Sequence, residues 1–336
     1  MKRRISFFVI LIFFANSFCE DITFNTSFDF INLPVSARVA GGAFSLIGDK
    51  DNSLAVRTNP AMLAGINKTA VGIDFSPIIM DIYSGAVSGA IVLRNGIVLA
   101  PSLSYLSFGT IDAVDENGDD MQMQVAPFGL SIETAAAYKF YEKLSIGARL
   151  KFIHEQIATR TIYWDENVFS AIATDLGIFS FHNIFRYSAG FRNLGVAFEK
   201  SKVEESNDVK LPSSVFAAVG VAIDGEAKLN WFLECERYFH DYMFFRTGLE
   251  IPTQREVLIF RAGTTFTPDD IRHIFGTLRG NTKKAWEYSS GNWLLAAVGT
   301  TINARIAQNL LSLDIACQFR KDGIKPGFLF SGTMYF

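Results

Sequence analysis

Charge is what this chain of 336 residues has least of: 19% of its residues are charged, against about 25% in an average soluble protein. The net charge of −3 offers no broad basic surface, so nucleic acid is excluded as a partner. Cysteine is scarce, with three residues in all. None of them stands at a metal-ligand spacing, and neither a metal nor a cofactor is expected. Histidine is limited to His154, His182, His240 and His273. No Gly-x-Ser-x-Gly motif or acid partner lies beside any of them in sequence, so no catalytic residue is assigned and the chain is not read as an enzyme. After the first 19 residues no apolar run approaches the roughly 18 residues of a spanning helix, which removes the helical membrane protein from consideration.

What is present is oil without helices. The chain is 49% hydrophobic and 14% aromatic, with 32 Phe. Its first residues, MKRRISFFVILIFFANSFC, set Lys2, Arg3 and Arg4 before an apolar core from Ile5 to Ala15. That is the pattern of a secretory signal peptide over residues 1–19. Ala15-Asn16-Ser17 offers one cleavage site and the bond after Cys19 another; lipidation of Cys19 is disfavoured by the bulk of Phe18 just before it. An exported, apolar chain without spanning helices leaves two classes, a large soluble β protein or a closed barrel in an outer membrane.

Strand patterning favours the barrel. In KLSIGARLKF, Leu144, Ile146, Ala148, Leu150 and Phe152 share one face while Ser145, Gly147, Arg149 and Lys151 share the other. KLNWFLECE and LSLDIACQFR alternate in the same way, and their phase puts Cys235 and Cys317 on the outward, lipid-facing side as small hydrophobes rather than a bridge. Strands are expected near 68–76, 83–94, 96–108, 122–140, 143–159, 168–181, 184–198, 212–223, 226–238, 241–251, 255–266, 291–303, 308–320 and 324–336, about fourteen and an even number. A soluble sandwich also alternates, so loop lengths carry more weight. The even connections at RNG, YEK, FHN, DGE and PTQR are tight, whereas FGTIDAVDENGDDM, TRTIYWDEN, EKSKVEESNDVKLP and 267–290 are long. Short turns on a periplasmic rim and long loops on the other are the habit of outer-membrane barrels. The ninth and thirteenth connections are short as well, so the asymmetry is incomplete. GFLFSGTMYF ends the chain on Phe336, in phase with the apolar face, as suits a C-terminal strand handed to the barrel-assembly machinery.

Residues 20–67 then precede the first strand of a barrel over 68–336. They are apolar and Gly-rich, and irregular backbone at membrane depth needs protein or water around it rather than lipid. A plug inside the lumen meets that requirement; a periplasmic linker is the alternative, though linkers are usually more polar. Gly41 and Gly42 allow close approach to the wall. Asn59 caps a short helix that Pro60 begins and Gly65 ends. The expected fold is thus all-β, a transmembrane antiparallel barrel of about 14 strands with an N-terminal luminal plug.

The stretch SARVAGGAFSLIGDKDNSLAVRTNPAMLAG resembles the N-terminal signature of the PorV/PorQ family, relatives of the FadL long-chain fatty-acid transporter. Ala37, Arg38, Gly41, Gly42, Ala43, Phe44, Asn59, Pro60, Ala61 and Leu63 carry the match, and TDLGIFSF, GFRNLGVAF, FRTGLEI and FRAGTTF echo it further on. Thr58 replaces the usual aromatic before Asn-Pro-Ala, and Met62 the usual glycine after it. The resemblance implies an outer-membrane barrel that passes hydrophobic small molecules or serves as a partner of a type IX-like secretion system. The structural plug motif is then Arg38, Gly41, Gly42, Phe44, Asn59, Pro60 and Ala61, with outer-membrane lipid, secretion-system proteins or hydrophobic small molecules as partners. A purely structural barrel and a soluble exported β protein are the other readings.

The inward phase carries Arg149, Lys151, Arg192, Lys228, Arg246 and Arg261 against Glu133, Asp175, Glu234, Glu236, Glu250 and Asp314. Such walls suggest ionic packing around a plug more than a binding site. The connection 267–290, with an amphipathic TPDDIRHIF, is a partner-binding loop or a lid over the barrel mouth.

Overall fold

The computed structural model describes residues 28–33, 36–43, 57–79, 81–114, 120–158, 167–200, 209–223, 228–239, 243–253, 255–268, 270–271, 295–320 and 326–336. The expected signal peptide and most of the loop 267–290 lie outside them. None of the described helices is long and apolar enough to cross a membrane.

The strands are β1 (Ala70–Ile79), β2 (Ile82–Val92), β3 (Ile97–Ser107), β4 (Ile111–Val114), β5 (Asp120–Val125), β6 (Phe128–Tyr141), β7 (Leu144–Ala158), β8 (Asn167–His182), β9 (Phe185–Lys200), β10 (Ser214–Ile223), β11 (Leu229–Tyr238), β12 (Met243–Pro252), β13 (Leu258–Phe266), β14 (Leu295–Ile306), β15 (Asn309–Arg320) and β16 (Gly327–Tyr335). All except β4 and β5 form one closed antiparallel barrel of fourteen strands in chain order, sealed where β1 meets β16 through Ala70↔Tyr335 to Phe75↔Phe330. Closure leaves no sheet edge at membrane depth for lipid to meet.

Period two sorts the side chains as the composition demands. On β7, Ile146, Leu150 and Phe152 are exposed on the outer face while Arg149, Lys151 and Ile153 are buried on the inner one. On β1, Val71, Ile73 and Phe75 point out and Asp74 and Ser76 in. The outer wall of a barrel whose inner wall is polar must be solvated by hydrocarbon, since no second sheet covers it. Leu150→Arg, at an outward position 59% exposed, is therefore expected to cost about 2–4 kcal/mol of stability in bilayers if it lies near the midplane. Urea titration of the protein in phospholipid vesicles measures this, and Leu150→Phe should leave the midpoint unchanged.

Two expectations for this region need correction. The segment expected as one strand over 122–140 is broken at Pro127, which has no N–H for a ladder and is tolerated poorly in a central strand; its carbonyl instead accepts the Phe108 N–H at 3.1 Å. The third connection, expected as a loop, contains the hairpin β4–β5, paired Ile111↔Val125 and Asp112↔Gln124 and tied by Gln124 Nε2 to Asp112 Oδ1 at 2.9 Å. The turn after β14 falls later than expected, because Ala307 takes the left-handed conformation (φ 56°) that lets the chain reverse there.

Wall height is uneven. Strands β6 to β9 have 14 to 16 residues and β10 to β13 only 9 or 10, while about 9–11 suffice to span. The surplus projects on the long-loop side. Asn193, at φ 58°, kinks β9 and shifts its register against β8 between Thr174 and Leu176; below this kink β10 joins β9, from Ser214↔Arg192 downward.

Apolar packing inside the barrel comes from the N-terminal residues. Phe28, Phe30 and Ile31 pack with Leu106, Ile153, Phe169 and Leu211 toward the long-loop end, with Phe28 edge-on to Phe169 at 6.4 Å between ring centroids. Leu63 and Ile66 pack with Ala90, Val98, Ala100, Ala135 and Ala137 near the short-turn end. Between these clusters, Ala37 and Ala40 meet Ala316 and Leu329, and Val39, Ala61 and Met62 meet Phe179, Ala218 and Phe232.

Candidate functional site

The lumen is the place where the chain gathers its chemistry. Helix α1 (Ala37–Gly41) begins at Ser36, whose hydroxyl accepts from the Arg38 N–H at 3.2 Å and satisfies one of the free donors of the first turn. The Ala37 N–H donates to Ser331 Oγ at 2.6 Å, and that hydroxyl donates in turn to Asp74. Arg38 reaches across to Asp314 with Nε at 3.0 Å from Oδ1. A 3-10 helix over Pro60–Gly65 follows Asn59, which sits in extended conformation with its side-chain oxygen accepting from the Ala61 N–H at 2.9 Å. The same side chain donates through Nδ2 to Ser188 Oγ at 2.7 Å and to the Ile178 carbonyl at 2.9 Å, so every polar atom of this fully buried amide has a partner on the wall or the helix. Just before it, the Thr58 carbonyl accepts from Arg192 Nε at 2.9 Å and Nη2 at 2.7 Å.

Glycines in the wall make room for these contacts. A Cβ on Gly147 would run into the Pro60–Ala61 backbone, and one on Gly177 into the Asn59 amide. A Cβ on Gly41 would lie 2.9 Å from the Gly299 Cα, and Cβ atoms on Gly248 and Gly263 would lie 2.7 and 2.5 Å from the Gly42 carbonyl oxygen. Thus Arg38, Gly41, Gly42, Asn59, Pro60 and Ala61 all lie against the inner wall, on two runs of neighbouring strands, β12–β15 and β7–β9. Phe44 lies outside the described residues.

Around them the inward side chains form ionic networks. In the first, Glu133 lies 3.0 Å from Arg57 and 3.4 Å from Arg149, Arg149 also holds Asp175, and Lys151 lies 2.6 Å from Asp175. Asn193, left-handed at the β9 kink, donates its N–H to Asp175 Oδ1 at 2.8 Å and accepts from Lys151. In the second, Arg192 and Arg246 share Glu234 and Glu236, Ser214 donates to Glu236 at 2.6 Å, and the Arg192 guanidinium stacks over the Phe216 ring at 3.9 Å. In the third, Arg261 holds Glu250 at 2.8 Å and, with Thr301, reaches the Asp314 that Arg38 binds. Eleven of the twelve charged residues read as inward fall into these networks, but Lys228 does not. It sits at a short turn, well exposed, paired with Glu256 at 2.8 Å, because it precedes the first residue of β11.

Sequence reasoning missed Arg57, Asn193, Ser188 and Ser331, and with them the wall glycines. The signal for the glycines was on the page, since Gly147 falls on the polar phase of KLSIGARLKF. No comparable signal marks Asn193, whose role depends on a kink set by three strands. Cys235, read as lipid-facing, is buried, while Cys317 is partly exposed, and both are free thiols. His182 closes β8 rather than standing in a turn. His154 faces outward, bonded at 3.0 Å to Ser170 Oγ and packed on Phe128. Among the described residues no group of histidine, cysteine or carboxylate side chains could hold a metal.

A closed antiparallel barrel with an apolar outer wall and charged lumen is an outer-membrane barrel, and its fold is that of the FadL-type channels. The CymD monoaromatic hydrocarbon channel superimposes with a TM-score of 0.58 at 11% identity, covering 90% of this chain and 97% of that one. The toluene transporter TodX of Pseudomonas putida gives 0.53 at 11% identity over 89% and 96% of the two chains, and a FadL homologue of Pseudomonas aeruginosa 0.52 at 9% over 90% and 98%. At such identities these likenesses concern the fold alone. The chain belongs to the family of the type IX secretion system protein PorV, whose model matches residues 16–234. No curated protein matches it in sequence.

Proposed function

We propose that this barrel works as the outer-membrane partner of a protein-secretion machinery of the type IX kind, with residues 20–67 as a plug that keeps its lumen shut. The observation that carries this reading is the lumen itself: Glu133, Arg149, Lys151, Asp175, Glu234 and Glu236 are buried there as paired charges, with Arg57 and Thr58 of the N-terminal stretch bonded among them. Such a lining is a poor path for a hydrocarbon, because every apolar molecule passing it would separate ion pairs that are costly to leave unpaired. The family membership supports the same role. No enzymatic step is assigned: His154 and Ser170 meet on the lipid face, with no carboxylate bonded to the imidazole among the described residues. The signal peptide would deliver the chain, lipid would solvate its outer wall, and the strand ending at Phe336 would engage the assembly machinery.

A second reading, passage of hydrophobic small molecules, has one observation in its favour. A cavity of about 780 Å3 opens on the wall, lined by Ala136, Tyr138, Ile146, Ala148, Leu176 and Phe191 among other mostly apolar residues. A deletion strain separates the two. Export is expected to fail, with secreted proteins accumulating in the periplasm, while uptake of toluene and of a long-chain fatty acid stays within about twofold of the parent, the scatter a uniform-binding change of about 0.4 kcal/mol would give. Normal export with lost uptake would overturn the secretion role in favour of the second.

A further inference from the structure

We propose that the outer wall of the barrel holds one phospholipid in a fixed seat, with its acyl chains in the cavity of about 780 Å3 that opens across β6 to β11 and its phosphate at Arg237. The cavity faces the bilayer and not the lumen. Tyr138, Ile146, Ile178, Ala189, Ala217 and Cys235 are register partners in that order from β6 to β11, and all of them stand on the outward phase. The next outward row, toward the long loops, adds Leu176 and Phe191 and ends at Arg237.

The inner face explains why the wall is hollow here. Between the two outward rows, Gly147, Gly177 and Gly190 lie side by side across β7, β8 and β9, and the first two let the wall close on Asn59, Pro60 and Ala61. A wall drawn inward is concave outside. Cys235 records the depth, since it shares the outward phase of β11 with Trp231 yet is 6% exposed where Trp231 is 37%.

Continuity with the lipid-facing wall identifies the occupant. A closed barrel turns its apolar face to hydrocarbon, and the rim residues Tyr138, Ile146, Leu176, Ile178 and Phe191 are all exposed to it, so a chain enters without leaving the bilayer. Asn59, Pro60 and Ala61 back the cavity on its luminal side, which makes it a seat rather than a passage. Its volume falls within the roughly 300–1,000 Å3 of small-molecule sites, and left empty its lining would forgo the dispersion contacts that an ordered chain supplies. Arg237 fixes the polar end. It is the one charged residue on this lining among the described residues. A guanidinium on a lipid-facing strand is costly at mid-membrane but tolerated near the interface, where its stem lets the head reach phosphate depth. Arg237 is the last residue but one of β11, at that level, and a phosphate accepts two parallel bonds from its fork. The seat belongs to the barrel whether it serves export or uptake.

The test uses the purified protein in detergent, mixed with phosphatidylglycerol or with diacylglycerol of the same chains, which lacks the phosphate. Native mass spectrometry counts the lipids that survive removal of the micelle. One phosphatidylglycerol should remain, held about tenfold more tightly than the diacylglycerol. Arg237→Gln should hold the two lipids alike, and Ala189→Phe with Ala217→Phe, which fills the floor of the cavity, should keep neither; heat-modifiable migration shows whether these variants are folded. Crystals of the unaltered protein grown with phosphatidylglycerol brominated along its chains should show anomalous peaks between Ile146, Ile178 and Phe191, a readout that needs no variant. No retained lipid, equal retention of the two lipids by the unaltered protein, an unchanged adduct in the folded filled variant, no bromine in the cavity, or a second copy of this chain seated there would each overturn the proposal.

Discussion

Gly147→Val is expected to drive residues 59–61 off the barrel wall while leaving the barrel itself closed. The new Cβ would collide with the Pro60–Ala61 backbone, and a backbone cannot rotate away as a side chain can. Overpacking in an interior that relaxes costs about 1–3 kcal/mol; here both surfaces are main chain held by ladders or capping bonds, so the upper end applies. Displacement would also loosen Met62 and Leu63, both buried, at about 1.5–3 kcal/mol each if fully exposed. The Asn59 bonds to Ser188 and Ile178 would go with them. Two measurements check this. In planar bilayers the variant should show steady conductance where the unaltered protein is closed, and added protease should cut near residues 57–66 only in the variant. Gly147→Ala should show the same effect in weaker form. Gly327→Val, whose Cβ would meet nothing within 4 Å, is the control for adding bulk to a strand. A closed, protease-resistant Gly147→Val would refute the idea that the wall glycines exist to receive this segment.

The barrel was legible because hydrocarbon and a charged lumen impose a two-residue period on every strand, and a period survives in sequence without any knowledge of neighbours. Leu150 out and Arg149 in can be read from the string of letters alone. Turn positions were less legible where no turn residue marks them: Ala307 reverses the chain with φ of 56°, which neither Gly nor Pro announces, whereas the turn at FHN, with Asn183 at φ 54°, lies where it was expected. The helix cap at Asn59 was readable because Asn-Pro is a local signal, contained within two residues. Its partners were not, since Ser188 and Ile178 lie more than a hundred positions away and become neighbours only through the order of the closed sheet. Lys228 illustrates the limit from the other side. Its phase along KLNWFLECE is inward, yet the strand begins one residue after it, so phase said nothing about where it would lie.

Asp175→Ala is expected to be among the most damaging single truncations of the inner wall. Asp175 is fully buried, accepts from the Asn193 N–H at the β9 kink, and faces both Arg149 and Lys151. Breaking a buried ion pair by removing one member typically costs about 3–5 kcal/mol, because the stranded charge keeps its desolvation penalty and loses its compensation. Here two cations are stranded and a kinked backbone loses its acceptor, which places the loss at the upper end. Urea titration followed by heat-modifiable migration gives the number. Asp175→Asn should lose nearly as much charge compensation yet keep an acceptor for the Asn193 N–H, so it should fall between the parent and the alanine variant. The double change Asp175→Ala with Lys151→Met should recover part of the loss, since it removes one stranded cation along with its partner. At the short-turn rim Lys228→Ala, which breaks a solvent-exposed pair with Glu256, should shift stability by about 0.2–1 kcal/mol at most. If the two pairs prove equally dispensable, the lumen is wet enough to solvate its own charges, and the case for a shut barrel loses its physical basis.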